Sequence, residues 1–327
     1  MKALQIIKYG KIKEGLSLNE IEKPNVKAND LLVEVKAASL NPIDYKLVEG
    51  KLKDVISLNL PCTIGFDVSG VVVEKGADVT NFEIGDEVYS RVPQEQMGTV
   101  AEFVAVNSDL VAKKPENVSF EEASGLPLTG LTAIQALERV GIKENDRVLI
   151  HAGSGGVGSF AIQYAKAKGA IVYTTTSTKN VGWLKALGAD RVIDYKTEDY
   201  KEVANNLDLV FDTLGDDYTF DAFEIIKEGG KVASITGPPD EETAKQMGMT
   251  DYKLPEQLSK LINEKSAEYK FTWMQPNGEQ LNTITKMVEN GDIKPIVDLI
   301  YSIEDGLDAY EYLATGRAQG KVIISFS

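Results

Sequence analysis

Apolar and polar residues alternate in short runs through the first part of the chain, with glycine and proline between them. Leu31, Val33 and Val35 fall on one face of an extended segment and Leu32 on the other. Residues 68–73 are almost continuously apolar, the pattern of a strand buried on both faces. Gly85-Asp86 introduces 87–91, and 99–106 alternates again. Irregular strands of this kind predict a compact, barrel-like β domain. Near Leu128 the rhythm changes: Leu131, Ile134, Leu137 and Val140 recur at helical spacing. Strands are expected beyond them at 147–151, 170–175, 207–213 and 231–236, with helices at 156–168, 180–187 and 218–226. That alternation is the pattern of a parallel sheet covered by helices on both faces. Pro238-Pro239 and the polar 240–245 read as a loop or lid. A helix at 280–289, an extended 295–300, a helix at 305–313 and a β run at 321–326 follow. The β run is expected to return to the first domain.

Within the alternation, Gly153-Ser154-Gly155-Gly156-Val157-Gly158 follows the strand ending at His151 and opens a helix. It fits G-x-G-x-x-G in the context that gives the motif meaning. By that pattern Gly153 permits a tight turn and Gly155 lets the backbone approach a pyrophosphate. Gly158 lets the helix pack closely on the strand. The helix N-terminus adds free N–H groups and a partial positive charge. A carboxylate about 20 residues further on would hold the ribose of NAD. Residues 174–180 read Thr-Thr-Thr-Ser-Thr-Lys-Asn instead. Hydroxyls and an ammonium suit a 2′-phosphate that a carboxylate would repel, so NADP(H) is the expected cofactor, with Thr176, Ser177 and Lys179 beside it. A helix cap from Ser177 or Thr178 draws on the same groups.

Composition narrows the chemistry. The 327 residues carry 35 Lys+Arg against 50 Asp+Glu, a net charge of −15. Nucleic acids and anionic membranes select basic faces, so neither is an expected partner. No apolar stretch approaches the ~18 residues of a membrane span, and a charge interrupts the N-terminal residues before a signal-length run, which makes the cytoplasm the default compartment. A single cysteine, Cys62, excludes an internal disulfide framework. With one histidine, His151, the chain also lacks the ligands for a zinc site built from Cys and His. His151 reads as support for the glycine loop rather than as a general acid. Cys62 reads as structural and Tyr164 as core.

Further motifs run from end to end: Asn41-Pro42-Ile43-Asp44-Tyr45-Lys46, Gly65-Phe66-Asp67-Val68-Ser69-Gly70, Gly85-Asp86-Glu87-Val88-Tyr89, Ala101-Glu102-Phe103 and Leu126-Pro127. Gly130-Leu131-Thr132-Ala133, Leu187-Gly188-Ala189-Asp190 and Gly316-Arg317-Ala318-Gln319-Gly320-Lys321 complete the set. On these residues the chain resembles the medium-chain dehydrogenase/reductase superfamily, and more narrowly its zinc-free quinone and enone oxidoreductases. The resemblance implies an α/β protein with a GroES-like β-barrel-type catalytic domain over 1–124, completed by 252–327. A Rossmann doubly wound parallel sheet domain would occupy 125–251. It further implies that Asn41 lies near the nicotinamide and substrate, that Thr132 contacts the cofactor, and that Ser177 and Tyr195 hold the 2′-phosphate. A lysine usually joins them where Asn180 stands here, so Lys179 comes one position early. Thr213, Thr236 and Arg317 are further expected cofactor contacts. Zinc-dependent relatives carry a cysteine near Asn41, Gly-His-Glu in place of Gly65-Phe66-Asp67, and a four-cysteine lobe where 89–98 has none. Zinc-independent chemistry is therefore expected, with no metal ligands.

The implied activity is hydride transfer from NADPH to quinones or α,β-unsaturated carbonyls. Such a site must align two reactants and stabilise a developing oxyanion. Asn41 or backbone N–H groups would donate to that oxygen. The proton would come from Tyr45, Lys46 or water, Tyr45 serving otherwise as an aromatic pocket wall and Asp44 as a loop anchor. An enoyl-thioester reductase and a non-catalytic NADPH-binding protein are the alternatives. The expected partner is a small-molecule quinone or enone, and relatives often form a homodimer through an edge of the nucleotide sheet.

Overall fold

In the computed structural model, which describes residues 1–326, the alternating N-terminal segments become eight strands. They are β1 (Lys2–Ile6), β2 (Leu16–Glu20), β3 (Asp30–Leu40), β4 (Cys62–Thr63), β5 (Asp67–Lys75), β6 (Glu87–Arg91), β7 (Phe103–Asn107) and β8 (Val111–Lys113). Strands β2, β1 and β4 form one small sheet, while β3, β5, β6 and β8 lie side by side in a larger one with β7 on β3. The β3–β5 register shifts between Leu32 and Val33 and again between Val35 and Ala37. Bulges of this kind bend and twist a strand, which lets a barrel-type sheet curl. Leu31, Val33, Val35, Val68 and Val72 are buried along this pair.

The expected α/β alternation follows. Its strands are β9 (Arg147–Ile150), β10 (Ile171–Thr176), β11 (Arg191–Asp194), β12 (Leu207–Asp212), β13 (Ile226–Ser234) and β14 (Glu268–Phe271). They lie in the order β11-β10-β9-β12-β13-β14, every neighbouring pair parallel. Counted from β9, that order is the doubly wound arrangement of dinucleotide-binding sheets, and it reverses direction between β9 and β12. Helices Gly156–Ala167, Val181–Ala186 and Asp217–Ile225 form the crossovers. Leu149, Ile193, Val210, Phe223 and Val232 are buried in one core cluster of this sheet.

One expectation needs correction here. The 240–245 segment is not a loop: Asp240 accepts from Thr243 N at 3.0 Å and caps a helix, Glu241–Gln246. The second compact unit runs Thr132–Met274 with Asp292–Lys294. A helix, Glu256–Glu264, leads to β14, which adds a sixth strand. In β14 only Tyr269 and Phe271 are buried, between charged Glu268 and Lys270, and two alternations are too few to signal a strand.

The first unit comprises Met1–Leu131, Gln275–Gly291 and the segment from Pro295 onward. Its later part contributes the helix Gly278–Glu289, strand β15 (Val297–Ser302), the helix Gly306–Ala314 and strand β16 (Lys321–Ser325). Strand β16 pairs antiparallel with β3 and parallel with β15, so the terminal β run does rejoin the first sheet. Among the described residues no helix is long and apolar enough to cross a membrane.

Candidate active site

The glycine loop leaves β9 at the point where the sheet order reverses, and the tight turn there is made differently from expectation. Ala152, not Gly153, takes the left-handed conformation, with φ 48°, a strained region for a residue with a Cβ. Gly153 is required for space, because a Cβ on it would overlap Thr174 Oγ1 and meet Ile162 Cδ1 at 3.0 Å. At Gly158 a Cβ would run into the Ala152 carbonyl and lie 2.8 Å from Gly153 Cα. Gly155 differs: a Cβ there meets only Ala152 O, at an ordinary 3.5 Å. Gly155 is also the N-cap of Gly156–Ala167 and has no side chain to occupy the helix end. The first N–H groups of a helix have no intrahelical acceptor, so Gly156, Val157 and Gly158 present an anion-binding end, with Ser154 in the loop before them.

The threonine run is divided between two tasks. Thr174 Oγ1 donates to Ile150 O at 2.7 Å, and Thr175 Oγ1 accepts from Ala152 N at 3.2 Å. Gly153 N donates to Thr175 O at 3.0 Å. Thr174 thus ties β10 to the end of β9, and Thr175 ties it to the start of the glycine loop. Thr176 and Ser177 remain at the strand end, the Thr176 hydroxyl buried without a partner among the described residues. Register pairs Thr176 with Asp194, and Tyr195 N donates to Thr176 O at 3.1 Å, so Tyr195 stands beside Thr176, its side chain exposed. Ser177 caps the short 3-10 turn Thr178–Asn180 through its position, its hydroxyl accepting no backbone N–H of the turn. Asn180 is buried, donating from Nδ2 to Ser177 Oγ and accepting from Trp183 Nε1, both at 3.2 Å. It props the serine from below, while Lys179 projects into solvent. Thr213 and Thr236 follow β12 and β13 at the same edge, and Thr213 Oγ1 donates to His151 O at 2.9 Å. Thr132 is buried in the helix Pro127–Arg139. In the first unit, Arg317 is exposed in the turn before β16.

His151 serves the loop, as its position suggests. Its ring is fully buried, Nδ1 lies 3.2 Å from Thr175 Oγ1, and Tyr200 and Tyr218 meet it edge-on at 5.0 and 5.2 Å. Burial pulls its pKa down to about 4 from 6.5, against weaker opposition from Asp212 and Asp221. Above pH 6.5 both folded and unfolded chains hold it neutral; below, the unfolded chain takes up a proton that the fold refuses. Acidification from pH 6.5 to about 4 should therefore remove about 3 kcal/mol of stability through this residue. Urea midpoints measured over that range should fall more steeply for the native chain than for His151→Phe. Parallel curves would show that His151 titrates normally.

Sequence reasoning missed Asp212 as part of this edge. Its Oδ1 accepts from Leu214 N and Gly215 N at 3.0 and 2.9 Å, and its Oδ2 from Thr219 Oγ1 and Ser234 Oγ at 2.6 and 2.8 Å. A buried carboxylate with four donors is the anchor of the turn that carries Thr213.

In the first unit, Asn41 caps the helix Pro42–Val48 in a reciprocal capping box with Asp44, whose Oδ2 accepts from Asn41 N at 2.8 Å. The Asn41 carboxamide is committed. Nδ2 donates to Asp67 Oδ2 at 2.9 Å and to Ser39 O at 3.4 Å, and Oδ1 accepts from Lys321 Nζ. The carboxamide is thus held by Asp67 and Lys321, with a long second Nδ2 contact to Ser39 O. Lys321 also donates to Leu40 O at 2.9 Å and lies 3.7 Å from Asp67 Oδ2, whose Oδ1 accepts from Leu128 N at 2.9 Å. Tyr310 donates to Asp44 Oδ2 at 3.3 Å. Burial raises the pKa of Asp44 and of Asp67, while Lys321 opposes both rises; burial lowers that of Lys321. Tyr45 is half-buried on the helix that this network anchors, and burial raises its hydroxyl above the usual value, keeping its proton. The network was not legible because Lys321 lies 280 residues from Asn41.

The positions at which the resemblance implies zinc ligands in metal-dependent relatives are occupied otherwise here: Asn41 and Asp67 bond to each other, and Phe66 is buried beneath Arg91. An amide, a phenyl ring and a carboxylate already paired with Lys321 do not make a zinc donor set. Among the described residues no group of three or more His, Cys, Asp or Glu side chains is placed to hold a metal.

A doubly wound sheet with a glycine-loop helix, and a separate β unit carrying the Asn-Pro helix, define a chain that belongs to the medium-chain dehydrogenase/reductase superfamily, in its quinone and alkenal oxidoreductase branch. Residues 27–116 match the alcohol dehydrogenase GroES-like domain and residues 187–324 the zinc-binding dehydrogenase domain. The 2-methylene-furan-3-one reductase of Solanum lycopersicum is 36% identical over 337 residues, covering 99% of this chain and 79% of that protein. The NADPH-dependent alkenal/one oxidoreductase, chloroplastic, of Arabidopsis thaliana matches at the same identity and coverage. Among solved structures, the quinone oxidoreductase from Coxiella burnetii superimposes with a TM-score of 0.86 at 36% identity, covering 100% of this chain and 99% of that one.

Proposed function

We propose that the chain is an NADPH-dependent, zinc-independent reductase of quinones and α,β-unsaturated carbonyls. The observation that carries the reading is the edge formed by β9, β10 and β11. There Gly155 leaves the helix end uncovered, and Thr176, Ser177 and Lys179 stand where an NAD-selective site would place a carboxylate. The donor set fits the cofactor. Residues 153–158 would hold the pyrophosphate on backbone N–H groups, and Ser177, Lys179 and Tyr195 the 2′-phosphate. Thr132, Thr213, Thr236 and Arg317 are proposed as further contacts. Bound there, the dihydronicotinamide supplies a hydride. In the other unit, Asn41 acts as a positioning residue: it fixes the start of the helix that carries Tyr45 and Lys46, the candidate proton donors. The names of the relatives, a furanone reductase, an alkenal/one oxidoreductase and a quinone oxidoreductase, support the substrate class. A small-molecule substrate, with no nucleic acid or membrane partner, fits the acidic charge. A reducing compartment such as the cytoplasm fits the one unpaired cysteine, Cys62, and homodimerisation through a sheet edge is part of the same proposal.

NADPH oxidation with 9,10-phenanthrenequinone or a simple enone tests this directly. Turnover of either is expected; tight NADPH binding with no turnover of both would leave the non-catalytic reading. Lys179→Glu should raise the KM for NADPH about tenfold or more and leave that for NADH nearly unchanged, because the substitution replaces attraction with repulsion at a single phosphate. An unaltered NADPH/NADH ratio would remove Lys179 from the phosphate site.

A further inference from the structure

The outer edge of the nucleotide sheet carries a second lysine beside Lys179. Strands β10 and β11 pair in parallel with Thr176 opposite Asp194, and Tyr195 N donates to Thr176 O at 3.1 Å. The two strands therefore end side by side, and the turns that follow them share one rim. The first turn, Thr178–Asn180, carries Lys179, and the second, at 195–197, carries Lys196. Both lysines are exposed, and neither is in a salt bridge among the described residues. Glu198, the next carboxylate along the second turn, is already paired with Arg191.

One carboxylate grips both turns. Asp194 Oδ1 accepts from Lys196 N at 3.1 Å. The Thr178 hydroxyl, and after it that N–H and the charge of Lys196, hold the Asp194 carboxyl below its usual range against the opposing effect of burial. Asp194 is thus an anion at the rim, where it would repel a phosphate. A phosphate monoester itself carries about −1.5 to −2 at neutral pH, more than one ammonium balances. Asn180 contributes no charge, and its amide is bonded to Ser177 Oγ and Trp183 Nε1. Hydroxyl donors are not the shortage. Ser177 Oγ accepts from Asn180 and keeps its own hydrogen, and the Thr176 hydroxyl is buried without a partner among the described residues. Such exceptions concentrate where a ligand completes the set. What the rim lacks, with Lys179 alone, is positive charge.

We propose that Lys196 supplies it: its ammonium pairs with the 2′-phosphate of NADP(H) from the β11 side, as Lys179 does from the β10 side, and offsets Asp194 at the same time. The proposal rests on the NADPH reading and makes Lys196 a determinant of cofactor choice, with no part in hydride transfer.

Adenosine 2′,5′-bisphosphate and 5′-AMP differ only in the 2′-phosphate, so calorimetric titration of each into the full chain isolates that group from turnover. The native chain should prefer the bisphosphate. Lys196→Met should weaken the bisphosphate about tenfold and shift 5′-AMP by less than about twofold, as expected for loss of one charge-assisted bond. Lys196→Arg should keep most of the preference. Because Lys196 is exposed in a turn, these substitutions leave the core untouched. In phosphorus NMR spectra, the bound 2′-phosphate should titrate at lower pH in the native chain than in Lys196→Met, since a nearby cation favours the dianion. Lys196→Met with Asp194→Asn separates pairing from neutralisation: the double variant should recover only part of the preference. Full recovery would show that Lys196 merely offsets Asp194, and it overturns the pairing. An unchanged preference in Lys196→Met, or equal losses for both ligands, overturns the proposal while the native preference keeps the NADPH reading in place. Equal binding of the two ligands by the native chain defeats that reading, and the proposal with it.

Discussion

Lys321→Met should destabilise the chain by about 3–5 kcal/mol, the cost of stranding a buried charge without its partner. The ammonium is fully enclosed by the Asn41 oxygen, the Leu40 carbonyl and Asp67. Methionine matches the stem and removes every one of these donations. Asp67 would then lose the cation that most opposes its protonation, and the Asn41 oxygen would lose its only charged donor. The expected result is a lower denaturant midpoint with an unchanged slope, and a larger loss near neutral pH than in acid, where a protonated Asp67 needs no counter-charge. A midpoint within about 1 kcal/mol of the native value would show that the pair contributes little more than apolar packing would. A double variant, Lys321→Met with Asp67→Asn, should recover part of the loss because it no longer buries an unpaired carboxylate.

The second large effect separates cofactor binding from folding. Gly155→Val should leave stability almost intact, since a Cβ at that position meets nothing closer than an ordinary contact at 3.5 Å. It should nevertheless weaken NADPH binding by about 100-fold, equivalent to about 2.7 kcal/mol, because the side chain would fill the space the pyrophosphate approaches. Gly158→Ala should behave in the opposite way. Its methyl would collide with the Ala152 carbonyl and the backbone of Gly153, so the fold loses stability and the affinity follows. Isothermal titration with NADPH beside urea denaturation of the two variants checks the contrast. Equal affinity for native chain and Gly155→Val would place the pyrophosphate elsewhere.

Much of the nucleotide unit was legible because each of its signals is local. Strand, glycine loop and helix sit within about two dozen residues, and periodicity locates β9, β10, β12 and β13 to within about five positions. Three things were not, the four-residue β11 among them. Strand β14 is four residues long and half charged, too short for its alternation to stand out from a loop. The assignment of the threonines also depended on strand pairing: identical hydroxyls at Thr174, Thr175 and Thr176 divide between stitching the loop and facing the strand end. In the first unit, Asn41, Asp67 and Lys321 were all noticed in motifs, but only the pairing of β16 with β3 and of β3 with β5 brings them together. That geometry ties the Asn41 carboxamide into a buried network with Asp67 and Lys321.

The antiparallel pairing of β16 with β3 also dictates an order of events. On a ribosome, the segments bearing Asn41 and Asp67 emerge long before Lys321, and the nucleotide unit is synthesised in between. Domains tend to fold as they appear, at about 5–20 residues per second, so the early β unit waits roughly ten seconds or more with two buried-site carboxylates lacking their cation. The nucleotide unit, whose strands pair almost entirely with sequence neighbours, has no such dependence. Its fold can mature first, and the arrival of one lysine then closes the Asn41–Asp67 network of the other unit.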